Sequence, residues 1–393
     1  MERTILHCDL NSFFASVELL SHPELKDMPV AVSGNPENRH GIILAKNEPA
    51  KKAGVKTAET IWQAKSKCPD LVLLPPHHEL YSEYSKKVNE IYLRYTNLVE
   101  PFGIDESWLD VTASRMLFGD GKTIADDIRI TVKEELGLTV SVGVSFNKVL
   151  AKLGSDFKKP DGTTVILKDN FKEFVWPMKV SELLYVGKSS LKKLNSFGIK
   201  TIGDLANADK NMIIKYFGKN GQMLYEYANG IDNSPVSDFN TRPPVKSIGN
   251  GKTFSCDLTD EEEIRKGVMF LSETVSSRLI KNGLKAGGVQ VLIKYKDFET
   301  VSRQKISDTP VFSSVMLYKC AMDIIYEAKL LKKPVRAITI TALSLSDIND
   351  NIQLSIFDDD TKTKNKERLA KAIDKLNDKY GEGHISSART TKL

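Results

Sequence analysis

The strongest constraint on the fold is the order in which strand and helix patterns succeed one another over the first 144 residues. Residues 4–10 read as a buried strand, and residues 11–20 switch to helical spacing through Phe14, Val17 and Leu19. After an insertion, residues 81–95 repeat Tyr84, Val88, Ile91, Tyr92 and Tyr95 on one helical face. Two short extended runs flank Asp105-Glu106, a helix is predicted over 123–136, and residues 139–144 return to strand. The resulting β-α-β-β-α-β order is the split βαβ arrangement of ferredoxin-like folds, in which the first strand neighbours the central hairpin.

That neighbourhood gives three acids a common address. Asp9 ends the first strand, and Asp105-Glu106 lies in the hairpin, within Phe102-Gly103-Ile104-Asp105-Glu106-Ser107-Trp108-Leu109-Asp110. Carboxylates meeting at strand ends suit a hard divalent cation that leaves room for substrate phosphates, and so suit phosphoryl transfer. Adjacent residues of a regular strand face opposite sides, so Asp105 and Glu106 share a site only if the chain bends, for which Gly103 offers a place. Another reading of Asp9 is a helix N-cap at the strand-to-helix junction.

A chain of 393 residues with 41% hydrophobic content has material for two or three domains. Cys8, Cys68, Cys256 and Cys320 form no Cys-x-x-Cys pair, which fits a reducing cytoplasm and argues against zinc ribbons and disulfide frameworks. The chain enters a strand pattern at once and has no apolar run near the roughly 18 residues of a membrane span, so neither export nor membrane insertion is expected. The net charge of +5 permits a polyanionic partner without demanding one.

Beyond the first domain, a helical pattern over 190–197 follows Val186-Gly187 and precedes Gly198 and Asp204-Leu205. Such a helix-hairpin-helix can offer backbone amides to a phosphate, or can turn through glycine for packing alone. Residues 229–244 are rich in Asn, Pro and Gly and read as a linker. A second α/β pattern occupies 245–345, with strands at 247–254, 288–295, 300–305 and 335–343 and helices at 261–281 and 313–331. Between Arg242 and Arg336 roughly 17 Lys/Arg face 11 Asp/Glu, which suggests a basic sheet able to cradle a duplex, or a solvated charged surface. The tail carries Asp358-Asp359-Asp360 and then a Lys-rich helical pattern through Leu369, Ile373 and Leu376.

Four stretches together resemble the Y-family translesion DNA polymerases of the bacterial DinB, DNA polymerase IV-like type. They are His7-Cys8-Asp9-Leu10-Asn11-Ser12-Phe13-Phe14-Ala15-Ser16-Val17-Glu18, Ile104-Asp105-Glu106 running to Leu109-Asp110, Ser141-Val142-Gly143-Val144-Ser145-Phe146-Asn147-Lys148, and Lys158-Lys159-Pro160-Asp161-Gly162. Their order and spacing agree with the family over residues 1 to about 345. The resemblance implies a mixed α/β (α+β) right-handed polymerase: a ferredoxin-like palm (1–22 and 79–166), small fingers (23–78), a helical thumb (167–230), a linker (231–244), an α/β little finger (245–345) and a tail (346–393). It implies low-fidelity, template-directed synthesis from dNTPs on primer-template DNA, past damaged bases and without proofreading, by a cytoplasmic and nucleoid-associated monomer.

By motif position, Asp9, Asp105, Glu106 and the Leu10 carbonyl would hold two Mg²⁺ ions, with Mn²⁺ a possible substitute. Phe14 matches the steric gate against a ribose 2′-hydroxyl, with Phe13 beside it, and Lys159 matches a triphosphate contact. In the fingers the family often has Thr-Ala-Asn-Tyr followed shortly by Arg, whereas this chain has Ala45-Lys46-Asn47-Glu48-Pro49-Ala50-Lys51. Lys51 keeps the charge without the bidentate fork, and Glu48 is either offset by Lys46 or paired with a neighbouring lysine. The thumb hairpin keeps only Gly187 of a Pro-Gly-Val-Gly pattern, and Lys148 and Lys152 are candidate DNA-backbone contacts or solvated helix lysines. Gln353-Leu354-Ser355-Ile356-Phe357 resembles the peptide that docks on the bacterial sliding (beta) clamp. A non-catalytic DNA- or clamp-binding scaffold would be expected to lose the three acids, and a nucleotide cyclase would lack the later domains.

Overall fold

The computed structural model describes residues 2–35, 41–241 and 244–350. Two compact units divide the chain, residues 1–242 and 243–393.

In the first unit, β1 (Ile5–Leu10), α1 (Phe13–Ser21), β2 (Val30–Ser33), β3 (Ile43–Lys46), α2 (Glu48–Lys52), α3 (Ile61–Lys67) and β4 (Val72–Leu74) precede the long helix α4 (His78–Tyr92). Then follow β5 (Val99–Pro101), β6 (Glu106–Asp110), α5 (Arg115–Phe118), α6 (Gly121–Leu136), β7 (Val140–Ser145), α7 (Lys148–Phe157) and β8 (Thr163–Val165). The main sheet has the order β5-β6-β1-β7-β8, with β1 antiparallel to both β6 and β7. This is the split βαβ sheet expected from the element order, extended by β8, which pairs parallel to β7. β1 is covered on both faces, since Ile5, Leu6, Cys8 and Leu10 are all buried. On one face Val88, Ile91 and Tyr92 of α4 and Ile124, Ile128 and Val132 of α6 complete its core.

On the other face α7 lies against β7 at Gly143. A Cβ built there would fall 1.9 Å from the Ala151 carbonyl oxygen and 2.4 Å from the Ser155 nitrogen, so only glycine permits this approach. The insertion folds separately as a three-stranded sheet, β3-β2-β4, in which β2 pairs antiparallel to β3 and parallel to β4. Asn47 ties this sheet to α2. Its side chain caps Ala50, accepts from the Val30 amide at 2.9 Å and donates to the Met28 carbonyl at 2.7 Å.

A helical segment follows, α8 (Phe171–Val175), α9 (Lys188–Ser196), α10 (Ile202–Ala206) and α11 (Lys210–Ala228), around Val175, Leu194, Ile202, Leu205 and Leu224. Gly198 at φ 78° turns the chain after α9, and Thr201 opens α10 with a capping box to Asp204. The run read as a linker is not free. Val236 is buried with Ile5 and Trp108, Phe239 packs on the core of the main sheet, and Ser237 donates to Glu100 at 2.9 Å. Its Asn and Pro content reflects an irregular strap along the sheet, because apolar residues every few positions suffice to anchor a segment without secondary structure.

The second unit runs β9 (Ser247–Leu258), α12 (Glu261–Lys281), β10 (Leu284–Tyr295), β11 (Thr300–Val311), α13 (Ser314–Glu327) and β12 (Val335–Asp347). Its antiparallel sheet, β11-β10-β12-β9, buries Val289, Val291, Ile293, Ile338 and Ile340 under the two helices. The alternate residues Gln290, Leu292, Thr339 and Thr341 pair with Gln304, Ser302, Gly251 and Gly249 across the opposite face. Lys294 continues the same face, opposite Thr300 and Ala337, so that face is mostly small and neutral with a lysine toward one end, which corrects the expectation of a basic sheet. Some of the basic residues are engaged with acids, in the pairs Lys305 with Glu327, Lys333 with Asp297 and Glu299, and Arg265 with Glu261.

Replacing Gly143 by Ala forces α7 off the sheet and costs about 3 kcal/mol or more. A urea-unfolding midpoint equal to that of the unsubstituted chain would contradict this packing.

Candidate active site

Backbone pairing sets the site. Asp9 stands opposite Glu106 in the β1/β6 register, and the Leu10 amide donates to the Asp105 carbonyl at 2.9 Å. Asp105 lies in the turn before β6, where the Phe102 and Gly103 amides both donate to the Glu106 carbonyl, at 2.9 and 3.2 Å. The chain thus bends ahead of Glu106, and strand alternation does not send the two acids to opposite faces. Ser12, not Asp9, occupies the N-cap position of α1, so the capping alternative for Asp9 falls away.

Each acid has a different electrostatic setting. Burial raises the Asp9 pKa, opposed by Lys159, whose Nζ lies 2.9 Å from Asp9 Oδ2 and 2.8 Å from Asp156 Oδ1. Asp105 is raised by burial and then by the charges of Asp9 and Glu106. No ion pair to Asp105 is present among the described residues. Burial also acts against Glu106, but His7 and Lys152 outweigh it and hold this carboxyl at about 2. Lys152, on α7, donates directly to Glu106 Oε2. His7 Nε2 lies 3.2 Å from the same oxygen, off the line of a full hydrogen bond, while Nδ1 is 2.8 Å from Ser155 Oγ. Burial lowers the His7 pKa, so the ring stands neutral beside Glu106 at ordinary pH.

Lys159 reaches Asp9 because its loop is clamped. Asn11 Oδ1 accepts from the Asp161 amide at 2.9 Å, and Arg129 Nη2 donates to Asp161 Oδ1 at 2.9 Å. Burial pulls the Lys159 pKa down, but the Asp9 charge overrides it and raises the ammonium above its ordinary value.

Among the described residues no three acids, histidines or cysteines form a ready metal cage. Asp9 and Glu106 are turned to the lysines instead. The donor chemistry nevertheless fits a divalent cation. All the candidate ligands are hard oxygens, and Asp105 is destabilised as an anion by its neighbours, a repulsion that a cation relieves.

Beside the acids, Phe13 is buried and Phe14 is half-buried, with ring centroids 5.7 Å apart. Phe14 stacks on Tyr81, centroids 4.1 Å apart and planes inclined by 11°. Tyr81 in turn donates its hydroxyl to the buried Glu18, which also lies 2.9 Å from His77 Nδ1. Tyr81, Glu18, His7 and Lys152 thus shape the site, although of the four only Lys152 carries a role read from the sequence, and that role is another one. The one sequence signal was a glutamate four residues after Phe14, on the same helical face.

Other candidates are placed elsewhere. Lys148, a candidate DNA-backbone contact, is buried, with Nζ 2.7 Å from Glu100 Oε1 and 4.3 Å from the Trp108 ring centroid, so within the chain it is engaged in packing. Lys152 points at Glu106 rather than into solvent as a backbone contact, because α7 is drawn onto the sheet at Gly143. Lys51 Nζ lies 3.2 Å from Glu48 Oε1, and Lys46 donates to Thr57 Oγ1 at 3.0 Å, so Glu48 is paired with a neighbouring lysine. Gly187 ends the hairpin before α9 with open space around its Cα. The clamp-type segment Gln353, Leu354, Ile356 and Phe357 lies outside the described residues.

Residues 8–156 match the impB/mucB/samB family, residues 245–356 its C-terminal domain, and residues 182–232 the thumb domain described for DNA polymerase iota. DNA polymerase IV of Acetivibrio thermocellus is 48% identical over 381 residues, covering 97% of this chain and 96% of that protein. The chain belongs to the Y-family DNA polymerases. DNA polymerase IV of Clostridium kluyveri is 37% identical, covering 100% of this chain and 99% of its own, and DNA polymerase IV 1 of Bacillus subtilis is 38% identical over 99% and 94%. A solved Y-family chimera of Dbh and Dpo4 shares the fold, with a TM-score of 0.77 at 24% identity over 87% of this chain and 98% of its own. The chain is accordingly a DNA-directed DNA polymerase of the translesion type, acting on DNA and dNTPs, and such polymerases need divalent metal ions. No helix among the described residues is long and apolar enough to cross a membrane.

Proposed function

We propose that residues 1–22 and 79–166 are the palm of this polymerase, 23–78 its fingers, 167–230 its thumb, 231–244 the strap to the next domain and 245–345 its little finger. Asp9, Asp105, Glu106 and the Leu10 carbonyl are the ligands of two Mg²⁺ ions, which Mn²⁺ can replace. The β1/β6 register that sets Asp9 against Glu106, with Asp105 in the adjoining turn, is the observation that carries this reading. The bound ions supply an activated primer 3′-hydroxyl and a counter-charge for the triphosphate.

The protein's own groups do the rest. Lys152 keeps Glu106 ionised and holds its Oε2 in place, with the His7 ring packed beside it. Lys159, already charged and at the acids, turns from Asp9 toward the triphosphate. Lys51 joins it only by leaving Glu48, a weak exposed pair that is easily given up. The Phe14 ring, backed by Tyr81, closes the space a 2′-hydroxyl would need. On the little finger, the face of Gly249, Gly251, Thr339 and Thr341 admits a nucleic-acid backbone closely without base reading. The polymerase works as a monomer in the bacterial cytoplasm at the nucleoid, and the segment Gln353-Leu354-Ser355-Ile356-Phe357 docks on the sliding clamp.

Primer extension with Mg²⁺ tests the acids. The double substitution Asp105→Asn and Glu106→Gln lowers incorporation by about 10³-fold or more, and full activity in it would overturn the mechanism. Phe14→Ala admits ribonucleotides, read as a fall in the dNTP-to-rNTP ratio of kcat/KM, and an unchanged ratio would remove Phe14 from the gate. Phe357→Ala abolishes stimulation by the clamp while leaving unstimulated extension intact, and persistent stimulation would refute the docking segment.

A further inference from the structure

Shortly after Lys159 the chain passes through Asp161 with a left-handed backbone at φ 52°, a region that residues other than Gly, Asn and Asp seldom enter. Gly162 follows so near the Lys158 carbonyl that a Cβ would meet its oxygen at 2.6 Å, so residues 158–162 form a closed turn. The half-buried Asp161 side chain fastens this turn to α6, on which Asp126, Arg129 and Lys133 share one face. Its Oδ1 accepts from Arg129 Nε at 3.1 Å and from Nη2 at 2.9 Å, its Oδ2 accepts from Lys133 at 3.2 Å, and its carbonyl accepts from Arg129 Nη2 as well. The guanidinium is itself fixed, because Nη1 donates to Asp126 Oδ1 at 3.1 Å and that oxygen also accepts from Thr163 Oγ1 at 2.6 Å. On the other side the Asp161 amide donates to Asn11, whose Nδ2 donates to Ser141 Oγ at 2.9 Å. Lys159 is therefore carried on a backbone held from two directions, and only its side-chain torsions are free. A cation on a fixed backbone loses less freedom on engaging an anion than one on a loop that must first be ordered.

We propose that Asp161, with Arg129 as its partner, is a positioning residue for nucleotide binding: the pair fixes the turn that carries Lys159, so that the ammonium passes from Asp9 to a triphosphate without ordering of the loop. The proposal rests on the assignment of Lys159 to the triphosphate and deepens it, tracing part of the dNTP affinity to a clamp on the outer helix α6.

Single-nucleotide insertion by the full chain on primer-template DNA with Mg²⁺, resolved into kcat and KM for dNTP and paired with thermal unfolding, tests it. Asp161→Gly, which tolerates positive φ but lacks the carboxylate, and Arg129→Met each raise KM about 5–10-fold and change kcat by less than about twofold. Asp161→Asn, which keeps Oδ1 as an acceptor, raises KM about 2–3-fold. Lys159→Ala raises KM about 10-fold or more, and adding Asp161→Gly to it raises KM no further, because the clamp acts through that lysine. A KM for Asp161→Gly within about twofold of the unsubstituted chain, with Lys159→Ala raised, overturns the positioning role. Effects that multiply in the double variant, or a fall in kcat that tracks a lowered Tm, overturn it in favour of a role in folding alone. If Lys159→Ala itself leaves KM unchanged, the assignment of Lys159 falls and this proposal with it.

Discussion

Everything at the site depends on one register, the antiparallel pairing of β1 with β6 that sets Asp9 opposite Glu106. A slip of one residue would turn Asp9 to the other face, so the buried Leu6, Cys8 and Leu109 that lock the strands also fix where the acids stand. The same pairing concentrates negative charge in a half-buried place, and the raised Asp105 shows its effect. Such a cluster is tolerable only if cations approach it. Within the chain, that duty falls to Lys152 and Lys159.

Those two lysines are delivered by different devices. Lys152 is brought by the close approach of α7 to the sheet, possible because Gly143 has no Cβ. Lys159 is brought by the loop that Asn11 and Arg129 hold through Asp161. One lysine therefore rests on packing and the other on a hydrogen-bonded clamp, and the acids they serve differ accordingly. Glu106 is held low and Asp9 is left high. Away from the acids, the stack of Phe14 on Tyr81 repeats the pattern, because Tyr81 is itself held by a buried Glu18 on the helix of Phe14.

Much of this was legible in the amino-acid order. The alternation of strand and helix over residues 4–144 is long enough for periodicity to speak, and Gly103 beside two neighbouring acids marks the place where the chain bends. Strands of three residues, β4 and β8, carry too little pattern to be read, and the strap over 231–241 looked like a linker because its anchors, Val236 and Phe239, are isolated in the chain. Lysine partners are illegible for a different reason. A lysine on a helix has the same sequence signature whether its ammonium meets solvent, Glu100 or Glu106.

The sequence by itself determined the β-α-β-β-α-β order of the main sheet, the strand ends that carry Asp9 and Asp105-Glu106, and the family to which they belong, because hydrophobic periodicity and motif spacing are local properties of the chain. Only the tertiary structure decided which cation faces which acid, that Tyr81 and Glu18 stand behind Phe14, that the open sheet of the second unit is mostly small and neutral, and that Asp161 ties the Lys159 turn to α6. Those outcomes turn on contacts between residues far apart in the chain, whose distances and burial no local pattern encodes.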